Sequence, residues 1–217
     1  MARGLIVVWV AAMLGTVPLT GAEGARIVTM PTARLLSAGS VCISYFWADM
    51  EASNPYAPQS MSIAILGVGL APKLELDATY LRPEGVSGMT SIGVERLVSP
   101  ESLRQPAVAL GAEDILQEID DTAFYLVASK SVTGSPGRRP TYPAVALNLG
   151  YSTRTGAGIF GGAQVGLSPR VSAAAAWDGH QSIYSLTYRL PSSPLVLMVG
   201  TLGDARWAGA RYTARFL

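Results

Sequence analysis

The sequence predicts an all-β protein, a single antiparallel up-and-down transmembrane β-barrel of about twelve strands, with ten as the alternative count. Three observations carry this. In 157–217, Tyr184, Leu186, Tyr188 and Leu190 alternate with Ser185, Thr187 and Arg189. Further on, Ala208, Ala210, Tyr212, Ala214 and Phe216 alternate with Gly209, Arg211, Thr213 and Arg215. A period of two is a strand whose faces meet different surroundings. The connections are as short as Ser168-Pro169, Asp178-Gly179-His180 and Gly203-Asp204, which permits only antiparallel neighbours. Finally, the chain closes on a strand with Phe216 next to its last residue, as a membrane barrel's closing strand would.

Taken in order, residues 1–22 read as a signal peptide: Arg3, an apolar core from Leu5 to Leu14, and small residues at Thr20-Gly21-Ala22. Residues 23–38 form a lead-in punctuated by Pro31 and Gly39, irregular up to the first strand. The barrel domain is 39–217. Val41, Ile43, Tyr45 and Trp47 alternate with Cys42, Ser44 and Phe46; Asp49–Gln59 is a loop; Ser60–Gly67 is a strand with Met61, Ile63 and Ile65 on one face. Leu74–Leu81 alternates most sharply, Leu74, Leu76, Ala78 and Tyr80 against Glu75, Asp77 and Thr79. Strands follow at 89–98, 106–112, 123–130 and 145–152, and the acidic segment 113–121 reads as a helical turn or a lid. The loop 131–141 carries Pro136, Gly137, Arg138 and Arg139. The last five strands are 157–167, 170–177, 181–190, 194–202 and 205–217. An even count returns both ends of the barrel to the same side.

Composition narrows the class. The formal net charge is +1, and without Arg3 the mature chain has 15 basic and 15 acidic side chains. A neutral chain is a poor match for nucleic acid. Hydrophobic residues make up 49% and the mean hydropathy is +0.32, yet no mature stretch reaches the ~18 apolar residues of a spanning helix. Apolarity spread over alternating strands suits a wall facing lipid. Cys42 is the single cysteine, so no internal disulfide forms and Cys42 reads as a small buried residue.

The alternation assigns faces. Acids would be costly in lipid, so Glu75, Asp77, Glu95, Arg189, Arg211 and Arg215 are the lumen-facing candidates. They are interleaved with Gly150, Gly162, Gly166, Ser172, Ala174 and Gly209, and small residues with opposite charges predict a partly filled interior. Tyr80, Tyr184, Tyr188, Trp207, Tyr212 and Phe216 are the aromatic-belt candidates.

Catalytic and metal chemistry find no constellation. His180 is the sole histidine and sits in a turn; a metal needs several ligands, and no nucleophile elbow accompanies it. Glu113, Asp114, Glu118, Asp120 and Asp121 offer clustered oxygens but fit no calcium-loop spacing and read as a solvated loop. No enzyme activity and no cofactor are expected.

Several pieces between Pro106 and Leu190 carry a resemblance: Pro106–Asp114, Phe124–Lys130, Gly158–Gly162 and Trp177-Asp178-Gly179, with a similar Pro31-Thr32-Ala33 in the lead-in. The chain resembles the YjbH-like outer-membrane proteins associated with exopolysaccharide production, in a short single-barrel version. The resemblance implies a barrel linked to the envelope or to polysaccharide and carries no catalytic residue across. The functional expectation is an outer-membrane barrel with a structural, transport or exopolysaccharide-secretion accessory role. The alternatives are a narrow porin-like solute channel and a soluble periplasmic or secreted ligand-binding barrel. Expected partners are outer-membrane lipid, the barrel-assembly machinery, and polysaccharide or envelope proteins.

Overall fold

The computed structural model describes residues 26–27, 30–50, 59–133, 142–154 and 158–216. The expected signal segment 1–22, most of the loops at 49–59 and 131–141, and Leu217 lie outside the described residues. Two short strands, β1 (Arg26–Ile27) and β2 (Met30–Pro31), pair with one another. Twelve longer strands follow: β3 (Ser40–Asp49), β4 (Ser60–Ala71), β5 (Leu74–Pro83), β6 (Met89–Ser99), β7 (Ala107–Glu113) and β8 (Ala123–Ser131). Then come β9 (Ala144–Ser152), β10 (Gly158–Gly166), β11 (Val171–Trp177), β12 (Ser182–Arg189), β13 (Leu195–Leu202) and β14 (Ala205–Arg215). Each pairs antiparallel with its sequence neighbours, and β14 pairs with β3, so the sheet closes into an up-and-down barrel. The count is twelve, and no helix occurs among the described residues; the acidic segment 113–121 ends β7 and then turns.

Closure leaves no free edge, and every interior strand is paired on both sides. The closing seam runs from Arg206 opposite Asp49 to Arg215 opposite Ser40. Beyond it, the Phe216 amide donates to the Gly39 carbonyl at 2.6 Å. We call this the terminal end of the barrel and the other the far end.

Residues opposite one another in an antiparallel ladder share a face, and burial tells which face is inside. Ser40, Cys42, Ser44, Phe46 and Ala48 are buried, while Tyr45 and Trp47 between them are 52% and 47% exposed. Following the register round the barrel, Glu75 and Asp77 of β5, Ser91 and Glu95 of β6, Ala109 and Glu113 of β7, and Tyr125, Val127 and Ser129 of β8 continue the inner face. All of these are buried. Leu66, Leu76, Leu110, Leu126, Leu149, Tyr184 and Val199 lie on the outer face and are exposed.

One aromatic needs correction. Trp207, expected in the belt, is on the inner face, opposite Ala48 of β3, and 5% exposed. Its ring meets Phe46 edge-on, with centroids 5.4 Å apart and planes at 83°, the favoured offset for aromatic quadrupoles. Inner-wall glycines make the room: a Cβ on Gly200 would stand 2.6 Å from the Trp207 ring, and one on Gly209 2.5 Å from that of Phe46.

Candidate functional site: the filled interior

The interior divides along the barrel axis. Toward the far end, Phe46, Trp207, Ile63, Ile183, Phe160 and Met198 form one apolar cluster. Toward the terminal end the wall becomes polar, and a second chain segment enters. Met30, Thr32, Ala33 and Leu36 of the lead-in are 1–4% exposed, and Met30 and Ala33 belong to the same cluster as Phe46 and Val127. Residues 30–36 of the lead-in therefore pack inside the barrel.

Specific polar contacts hold it there. The Ala33 amide donates to Ser129 Oγ at 2.8 Å, and Arg34 Nη2 donates to Ser131 Oγ at 2.9 Å. The Leu36 amide donates to Glu75 Oε2 at 2.7 Å. An irregular segment inside a barrel carries backbone groups that must find partners; Ser129 and Glu75 accept two of its amides, and Ser131 accepts from the Arg34 guanidinium. The fit is close: a Cβ on Gly69 would overlap the Ser37 carbonyl oxygen. Only glycine permits that approach, and the β4–β5 ladder shifts register between Gly69 and Ala71.

The acids of the inner wall are gathered in one sector. Glu75, Asp77, Glu95 and Glu113 lie on the consecutive strands β5, β6 and β7, all buried and all engaged by neighbours. Glu75 and Glu95 face each other directly across the ladder. Tyr125 donates its hydroxyl to Glu95 Oε2 at 2.7 Å, and charge-assisted bonds of this kind offset burial of the carboxylate. Inward arginines lie on β12 and β14: Arg189 of β12 is six strands from β6 in either direction, across the barrel from the acids, whereas β14 is three strands from β5.

The lumen candidates thus occupy different depths. Glu75, Asp77 and Glu95 are buried in the acidic sector. Arg211 is half-buried on the inner face, and its Nε donates to Ser44 Oγ at 3.2 Å. Arg189 is half-buried, with Val196 opposite. Arg215, opposite Ser40, is exposed at the terminal rim. Of the belt candidates, Tyr80, Tyr184 and Tyr188 are exposed on the outer face, Tyr212 is half-buried there, and Phe216 is exposed past the end of β14.

Sequence reasoning missed Tyr125, Ser129 and the lead-in as interior residues. In β8 both faces are largely apolar, Tyr125 and Val127 against Phe124 and Leu126, so alternation does not say which is inside. The lead-in has no periodicity to read.

Asp114 resolves the acidic loop. It is fully buried, at φ 53°, and its carboxylate accepts the amides of Glu118, Ile119 and Asp120 at 3.3, 2.9 and 2.6 Å. Glu118 in turn accepts the Thr90 amide. The acids build the turn 114–122 and stitch it to β6. No group of three or more metal-ligating side chains occurs among the described residues. His180 is exposed in its turn, its amide donating to Asp178 Oδ1 at 2.9 Å. Cys42 is buried and accepts from Thr213 Oγ1 at 3.6 Å.

The fold and interior together define the molecule as a closed twelve-stranded β-barrel filled by its own N-terminal segment. Compared with known proteins, the chain matches no family model and no curated protein.

Proposed function

We propose that the chain is an outer-membrane β-barrel with a structural or accessory role in the envelope, and not a catalyst. One observation carries this reading: the outer wall is apolar around its circumference, while the buried acids are inside. Acids point in, at Glu75, Asp77, Glu95 and Glu113, while leucines, valines and tyrosines point out around the circumference. Monomeric soluble proteins rarely expose contiguous apolar patches beyond a few hundred Å², and a hydrocarbon surround removes the cost.

The same observation disfavours a soluble ligand-binding barrel, which would present a polar outer face to water. The lead-in disfavours an open solute channel, because the space such a channel would use holds Met30, Ala33 and Leu36. Within the envelope class, the YjbH-like pieces on β7, β8 and β10 support a role alongside exopolysaccharide export, and the barrel-assembly machinery would insert the chain.

Cell fractionation combined with heat-modifiable migration on a gel tests the membrane reading. Recovery in the soluble periplasmic fraction, with no shift on heating, would overturn it. The accessory role is tested by deleting the protein and measuring surface polysaccharide; restoration by a His180→Ala chain is expected, and failure of that well-folded variant would restore a catalytic reading.

A further inference from the structure

The outer wall has a recess at the terminal end, where the β4–β5 hairpin turns. Its volume is about 470 Å³, and it is lined by Ala71, Pro72, Lys73, Leu74 and Arg96. The turn is fixed to the next strand by the Leu97 amide donating to the Lys73 carbonyl at 2.9 Å. Arg96 lies opposite Leu74 in the β5–β6 ladder and opposite Leu110 in β6–β7. Both are outer-face leucines, and Leu76 continues the apolar surface two residues along β5.

Both cations are exposed, and neither side chain has a hydrogen-bond or ion-pair partner among the described residues. The barrel treats another outer-face cation differently. Lys130 of β8 is 3.5 Å from Glu101 Oε1, and it donates to the carbonyls of Ser102, Leu103 and Gln105. The loop 100–106 therefore absorbs Lys130, whereas Lys73 and Arg96 remain available at the rim of an apolar surface.

Building on the outer-membrane reading, we propose that this recess binds an anionic phospholipid. The phosphate lies between the Lys73 ammonium and the Arg96 guanidinium, and one acyl chain runs along Leu74, Leu76 and Leu110. The chemistry selects this occupant. Two unpaired cations want an anion, and a guanidinium grips phosphate with two parallel N–H donors. An apolar recess directly beside them wants hydrocarbon, and one amphiphile supplies both. Basic pockets at membrane-facing surfaces recognise lipid headgroups by the same logic. The site is at the end where the barrel's two termini meet, the periplasmic end in the proposed orientation, so it faces the leaflet made of phospholipid.

The test uses the full mature chain purified in detergent micelles, with retained phosphatidylglycerol measured by native mass spectrometry. Phosphatidylcholine and glycerol phosphate serve as comparison ligands. Wild type is expected to retain phosphatidylglycerol in preference to phosphatidylcholine. The Lys73→Gln/Arg96→Gln variant should retain it on the order of tenfold less. Lys73→Arg should keep it, and millimolar glycerol phosphate should not displace it. Equal retention by wild type and the double variant would overturn the proposal, and so would displacement by glycerol phosphate, which would mark a phosphate site without a lipid. Heat-modifiable migration is followed in parallel. If wild type lacks it, the membrane reading fails and this site with it; if both proteins migrate normally and retention is equal, only the lipid site fails. Should the double variant misfold, the single Arg96→Gln variant gives the same comparison.

Discussion

The Leu36 amide donates to Glu75 Oε2 at 2.7 Å from within the barrel. A residue of the lead-in is thereby anchored on the acidic wall, beside the facing Glu75–Glu95 pair. This contact makes the plug part of the fold instead of a tail that happens to enter it. Glu75→Ala leaves a buried amide without its acceptor and should cost about 1–3 kcal/mol in unfolding. Glu75→Gln retains an acceptor oxygen and should cost clearly less. A cysteine placed at position 36 should label slowly in wild type and faster in Glu75→Ala; equal labelling rates would show that Glu75 does not hold the segment.

Trp207 and Tyr184 separate inside from outside. Trp207→Ala empties space against Phe46 and should destabilise by about 3–5 kcal/mol. Tyr184→Ala removes a side chain that is 55% exposed on the outer wall and should cost much less. Denaturant unfolding in micelles measures both, and similar losses would contradict the inner placement of Trp207.

Leu186 and Thr187 are consecutive and face opposite ways. Leu186 is 49% exposed on the outer wall, and Leu186→Arg should cost about 2–4 kcal/mol if that surface lies near a bilayer midplane. Thr187 shares a 2.5 Å hydrogen bond with Ser172 on the inner face, so Thr187→Ala should cost about 1 kcal/mol. Refolding into lipid vesicles reads both, and a freely tolerated arginine at 186 would place that surface outside hydrocarbon.

Closure depends on the last turns of β14. Tyr212, Thr213, Ala214 and Arg215 pair with Ile43, Cys42, Val41 and Ser40. A chain lacking residues 212–217 leaves those groups of β3 unpaired, each costing several kcal/mol in hydrocarbon. It should fail to give a heat-modifiable band and should aggregate or be degraded. Phe216→Ala keeps the ladder and should assemble with a milder defect.

Asp114 predicts a local effect. Asp114→Ala removes the acceptor for three backbone amides, so the turn 114–122 should become sensitive to limited proteolysis while the barrel still forms. Added calcium should leave wild-type melting unchanged, because that carboxylate is already occupied by amides. A calcium-dependent rise in melting temperature would contradict this account.

Much of the architecture was legible in the residues themselves. Strand after strand alternates with period two, and Leu74–Leu81, with Glu75 and Asp77 on alternate positions, also reveals its polar face. Turns such as Gly203-Asp204 limit the neighbours to antiparallel ones, and the twelve strand positions follow from these local signals. Three things needed the tertiary structure. Alternation is symmetric, so in a strand like β8, apolar on both faces, only closure says that Tyr125 is inside and Phe124 outside. Trp207 is apolar and aromatic, as fit for a membrane belt as for a core; the space left by Gly200 and Gly209 decides for the core. The lead-in has neither periodicity nor charge pattern. Its place depends on wall residues far away in sequence: Glu75 meets Leu36 and Ser129 meets Ala33, 39 and 96 positions apart. Local propensity determines which segments are strands, whereas the contents of a closed barrel are determined by which distant groups can satisfy one another inside it.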